Sequence, residues 1–150
     1  MKIGGREITR NMEILVLPRL DGDLVIRAQA VCINKDFEKI CPEPTAPGVR
    51  TKDGFKPNYK DEDYRAQVAS RGEKNFAYMV LRSIEPSDIE WETVDLNDHN
   101  TWTNWVDELQ DAGLSEVETN RIVNAALVAN SLDEDKLREA RERFLRGQGE

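Results

Sequence analysis

Few residues in this chain have the side chains that catalysis needs. The thiol and imidazole inventory is two cysteines, Cys32 and Cys41, and one histidine, His99. A structural zinc site takes four ligands, and His99 lies far along the chain from either cysteine. Neither cysteine has an adjacent base to make it a thiolate nucleophile, so both read as ordinary half-buried thiols. His99 stands between Asp98 and Asn100 and reads as a surface or cap residue. Glu90, Glu92 and Asp95 surround Trp91. A glycosidase pair needs two carboxyls facing each other across a cleft, and their spacing does not supply that, so they read as a solvated face. Gly4-Gly5 lacks the strand-then-helix setting of a phosphate loop. No catalytic residue, cofactor site or metal site is assigned, and an enzyme is not expected.

The composition narrows the partners. The 150 residues carry 21 basic and 29 acidic side chains, a formal net charge of −8. No Lys/Arg cluster stands out, so binding to nucleic acid or to an anionic membrane is not expected. Apolar residues make up 39% and charged residues 33%, the balance of a soluble globular chain with one domain as the prior. The segment MKIGGREITR has no apolar stretch of a secretory signal, and no apolar run is long enough to span a bilayer, so the expected compartment is cytoplasmic.

The stretch around which the elements organise is Thr101 to Leu114. Trp102, Trp105, Val106 and Leu109 fall at i, i+3, i+4 and i+7, one helical stripe. Gly113 and Leu114 then match the C′ and C″ positions of a Schellman ending. Trp102 and Trp105 read as core, with an exposed partner anchor as the alternative. Ser115 and Glu118 form a capping box for a second helix, and Ser131 with Glu134 has the same spacing before a third. Residues 99–146 are therefore expected to be three helices joined by short links.

Residues 1–31 read as strands. Met12 to Leu17 is an apolar run, Asp21-Gly22 a turn, and Leu24 to Val31 alternates with period two. Asn34 to Ile40 has the pattern of a short helix with Asn34 as cap. Residues 42–60 hold four prolines and two glycines and read as a loop, with Phe55 and Tyr59 as the aromatics able to dock it. Residues 61–84 read as a long helix, with Gly72 a point of weakness. The segment 85–97 is left irregular, with Ser87 and Glu90 at capping-box spacing and a competing short strand. The expected class is α+β: a small N-terminal antiparallel sheet packed on a long central helix and a C-terminal three-helix unit. The expected buried set is Ile14, Val16, Leu24, Ile26, Phe76, Val80, Trp102, Val106, Leu109, Ile122, Val123, Leu127, Leu137 and Phe144. Phe55, Tyr59 and Trp91 are the candidate partner contacts.

The order of segments resembles a known family. It runs from Cys41-Pro42-Glu43-Pro44-Thr45-Ala46-Pro47 through Asp61-Glu62-Asp63-Tyr64 into FAYMVLRSI. It continues with IEWETVDLND, the Thr-Trp-x-x-Trp helix, the Gly-Leu-Ser capped helix and the Asn-Ser-Leu-Asp-Glu ending. From about Val31 to Leu145 this is similar to the small tail assembly chaperones of long-tailed bacteriophages. The resemblance implies a non-enzymatic protein of the infected host's cytoplasm, absent from the finished particle. It would hold the tape measure protein and recruit tail tube subunits; self-association is left open. It transfers no residue roles. A structural tail accessory or adaptor kept in the virion is the alternative. An acidic mimic of nucleic acid is disfavoured, because acids and bases are interspersed, as in RERFLR.

Overall fold

The computed structural model describes residues 1–148. In chain order the strands and helices are β1 (Lys2–Ile3), β2 (Arg6–Glu7), β3 (Met12–Leu17), β4 (Leu24–Gln29), α1 (Asn34–Ile40), β5 (Gly48–Thr51), β6 (Gly54–Pro57), α2 (Glu62–Ser83), α3 (Trp105–Asp111), α4 (Glu116–Ala129) and α5 (Glu134–Gln148). Tight 3₁₀ turns occupy Glu85–Ser87 and Trp102–Asn104. The fold is α+β, and its strands pair as three antiparallel ribbons, β1–β2, β3–β4 and β5–β6.

The core forms where α2, α4 and the β3–β4 ribbon meet the aromatic turn before α3. Tyr78 stacks on Trp102 with ring centroids 4.4 Å apart, and Phe37 from α1 tilts against both at 6.2 and 5.9 Å. Val80, Leu81, Ile84, Ile122 and Ala126 close around them. The Trp102 indole nitrogen donates to the Asp95 carbonyl at 3.1 Å, so the ring is buried without an unpaired donor. Helix α2 runs unbroken through Gly72, starting at Asp61, whose carboxylate accepts from the Tyr64 N–H at 2.9 Å. Its buried side chains all lie in the C-terminal third, from Ala77 onward.

Several expectations about burial are corrected. Ile26, Val80, Trp102, Leu109 and Ile122 are buried, and Val106, Val123 and Leu127 are half-buried. Ile14 and Val16 instead face outward, 62% and 51% exposed. In the ribbon's register Leu15 lies opposite Ile26, so the odd positions of β3 share the inner face. Met12 to Leu17 has apolar residues at both parities, so the pattern alone does not choose a face, and a one-residue shift exchanges the two. Leu24 lies at the turn end of the ribbon, and Phe76 precedes the buried third of α2; both are exposed. Leu137 and Phe144 are exposed because α5 carries no buried side chain.

The helix ends repeat a few devices. Helix α3 closes as expected: Leu114 N–H donates to Leu109 O, Gly113 N–H to Gln110 O, and Gly113 has φ +114°. The Ser115–Glu118 capping box opens α4. The reading of Ser131 as a cap of α5 is corrected. Ser131 is the C′ residue of a second Schellman ending, with φ 57° and with Leu132 N–H donating to Leu127 O at 2.9 Å. Asp133 caps α5, accepting from the Asp135 and Lys136 N–H groups. Asn34 is the first residue of α1 rather than its cap. Ser87 caps no helix: its hydroxyl accepts from Arg27 N–H at 2.8 Å and donates to Arg27 O at 3.0 Å, tying the 3₁₀ turn to β4.

Two stability measurements follow from this packing. Trp105 is 4% exposed, and Trp105→Ala should destabilise the fold by about 3–5 kcal/mol in denaturant titration, as large aromatic deletions do. Ser131 holds a left-handed conformation that disfavours a Cβ, so Ser131→Gly should stabilise by up to about 1 kcal/mol and Ser131→Val should destabilise. Equal midpoints for the two Ser131 variants would show that the conformation carries no strain.

Candidate functional site

The three sequence-nominated contacts lie on two different parts of the molecule. Residues 42–60 are not an irregular loop throughout; they contain the β5–β6 ribbon. Its two-residue turn is Lys52-Asp53; Gly54, the first residue of β6, has φ +109°, and the Thr51 hydroxyl donates to Gly54 O at 2.7 Å. The Asp-Gly pair was the available signal, outweighed in the sequence by the flanking prolines. All eight strand residues are exposed, and Phe55 is 77% exposed. Tyr59 follows the ribbon, 65% exposed, with its ring 5.9 Å from that of Tyr64 at the start of α2.

Trp91 belongs elsewhere. It is half-buried and packs against the hydrophobic core, beside a shallow groove of about 260 Å³ shared with Ile89, Leu109 and Ala112. No strand forms in residues 88–97. The segment is held instead by one carboxylate, Glu108 of α3. It accepts from the backbone N–H groups of Glu92, Thr93 and Val94 at 2.6, 3.2 and 3.0 Å, and from the Thr93 hydroxyl at 2.8 Å. Burial works against ionisation of Glu108, and these donors outweigh it, leaving its carboxyl below the usual range. The loop therefore presents Trp91 from a fixed base.

Two apolar surfaces escaped the sequence reading because they were assigned to the core. On α5, Leu137, Ala140 and Phe144 form the expected i, i+3, i+7 stripe, and Leu137, Phe144 and the flanking Leu145 are 47%, 61% and 51% exposed. Leu132, just before the helix, is 60% exposed. The second surface is the outer face of β3, where Met12, Ile14 and Val16 alternate. Periodicity identified both stripes; it does not say whether a partner surface exists within the chain.

The β3–β4 ribbon is anchored by an ion pair. Arg19 donates from both terminal nitrogens to the Glu118 carboxylate, at 2.7 and 2.8 Å, in the bidentate geometry that suits guanidinium. Glu118 also accepts from the Ser115 N–H at 3.1 Å. The Arg19 guanidinium, then the Ser115 N–H, hold the Glu118 carboxyl at about 2, against an ordinary 4.5. Among the described residues no group of three or more His, Cys, Asp and Glu side chains is placed to hold a metal ion. No helix among them is long and apolar enough to cross a membrane.

The Glu118 pair has a pH signature. A carboxyl lowered on folding contributes stability that is fully present above the unfolded value, near 4.5, and is lost as pH falls toward 2. Between pH 5 and pH 2 the denaturant midpoint should fall, and Glu118→Gln should flatten that part of the profile. A profile unchanged by the substitution would assign acid sensitivity to other carboxylates.

No protein-family model, curated protein or solved structure matches this chain.

Proposed function

We propose that the chain is a non-enzymatic assembly chaperone of a long-tailed bacteriophage, binding the tape measure protein and tail tube subunits in the host cytoplasm. The observation that carries the binding part is α5: fifteen residues, a regular apolar stripe and no buried side chain. Exposed apolar surface of this kind marks an interaction site. An amphipathic helix offers an apolar seam to another helix, and a tape measure is long and helical. At helical spacing Lys136, Arg141 and Arg143 flank the stripe, so a partner seam edged with acidic residues is favoured. The phage-tail part rests on the resemblance in segment order. The wholly exposed β5–β6 ribbon favours the second reading, a structural tail accessory or adaptor retained in the virion, since such an arm is ordered best by a neighbouring subunit.

Quantitative mass spectrometry of purified particles and infected-cell lysate separates the two. Abundance in lysate, co-purification with the tape measure and absence from particles support the chaperone. Stoichiometric presence in particles supports the accessory protein, and absence from every tail complex overturns both. Leu137→Asp with Phe144→Asp should leave the unfolding free energy within about 0.5 kcal/mol, because both side chains are exposed. The same pair should abolish co-purification with the tape measure; retained co-purification would move the contact off α5.

A further inference from the structure

A half-buried cation is ordinarily matched by a counter-charge, since burying a charge without a partner is costly. Among the described residues four cationic side chains are half-buried: Arg19, Arg71, Lys74 and Arg82. Arg19 pairs with Glu118, and Arg82 pairs with Asp36 and Glu85. Arg71 and Lys74 have no carboxylate within ion-pair distance, and both line one groove of about 360 Å³ between α2 and residues 41–44. We propose that this groove binds an oxyanion, a carboxylate or phosphate group, between Arg71, Lys74 and His99.

The side chains come together by helical spacing. Gln67, Ser70, Arg71 and Lys74 fall at i, i+3, i+4 and i+7 on α2, and all four face the groove, with His99 on its far side. The aromatic cluster positions the donors. Arg71 lies over the Phe37 ring, 4.7 Å from its centroid, and its Nε donates to the Cys41 carbonyl at 3.2 Å. His99 meets Trp102 edge-on with centroids 6.2 Å apart. Lys74 Nζ lies 2.9 Å from His99 Nδ1 and 3.2 Å from Asn100 Oδ1.

The donor count then points to an anion. An ammonium has no lone pair, so His99 Nδ1 is the acceptor and the ring hydrogen sits on Nε2. Among the described residues that leaves the Nε2–H of His99, the terminal amino groups of Arg71 and the third N–H of Lys74 without partners. The Ser70 hydroxyl and Gln67 amide add neutral donors. Glu43 is the one carboxylate lining the groove, and it forms no ion pair with either cation. Charge-assisted hydrogen bonds from a held guanidinium and ammonium are the strong ones, and their orientation here is set before any ligand arrives. The groove is separate from α5, so it stands or falls apart from the chaperone reading.

His99 is the only histidine, which makes its ring resonances an unambiguous reporter. The test is NMR titration of the intact chain at constant pH and ionic strength, with inorganic phosphate, with succinate and with chloride. The expected result is a saturable His99 shift with phosphate or succinate and none with chloride; whichever anion saturates identifies the group. Arg71→Gln and Lys74→Gln should each weaken the saturable binding at least tenfold, with Arg65→Gln as an exposed control on the same helix. Lys74→Gln leaves the Phe37 contact intact, so it reports on binding even where Arg71→Gln loosens the fold. Shifts that never saturate, or affinities unchanged in both variants, would falsify the site.

Discussion

The stacking of Tyr78 on Trp102 is the contact on which the other elements converge. Tyr78 comes from α2 and Trp102 from the turn before α3, while Phe37 brings in the short helix α1. The two short helices are not stable alone: α1 and α3 have seven residues each, too few for a helix to persist in water. Burying three aromatic rings together supplies the apolar area that they lack. Arg82 reinforces the cluster at its rim, lying over the Tyr78 ring and donating to its hydroxyl at 2.8 Å while holding Asp36 of α1.

Polar side chains do the joining between elements. Asn130 at the end of α4 accepts from the Val31 N–H at 2.9 Å and donates to the Ala126 carbonyl at 2.8 Å. Asn11 donates to the Ala129 carbonyl at 3.0 Å, and Ser83 of α2 donates to the Gln29 carbonyl at 2.8 Å. Glu108 and Glu118 serve the same purpose for the Trp91 segment and the β3–β4 ribbon. Each satisfies backbone or guanidinium donors that would otherwise be left at the edge of the core. The carboxylates engaged by the fold, Glu108 and Glu118, thus orient backbone and guanidinium donors.

That arrangement leaves the molecule uneven. Apolar side chains are concentrated where α2, α3, α4 and β4 meet, while α5, the outer face of β3 and the β5–β6 ribbon keep theirs in water. An acidic chain tolerates such surfaces because like-charged copies repel one another before the apolar stripes meet. The proposed oxyanion groove runs against the overall charge: Arg71, over the Phe37 ring, and Lys74, hydrogen-bonded to His99 and Asn100, are half-buried in a chain with an excess of acids.

Local chemistry was legible from residues alone. Gly113 with Leu114, and Ser115 with Glu118, marked helix ends because capping depends on groups a few positions apart. The long helix over 61–84 and the alternation of β4 were equally readable, since each reflects one element's own period; the Trp102–Leu109 stripe was readable too, but it begins in the 3₁₀ turn that precedes α3. Ser131 misled because serine serves either as a cap or, less often, as a left-handed residue, and only the chain's path past Leu127 decides which. The tertiary structure alone decided which stripes have partners. It turned β3 over through its pairing with β4, left Leu137 and Phe144 in solvent, and separated Trp91 from Phe55 and Tyr59. It also brought His99 to Lys74 and Arg71 across a stretch of chain that no periodicity spans. Burial is a property of two surfaces, and a sequence pattern describes one.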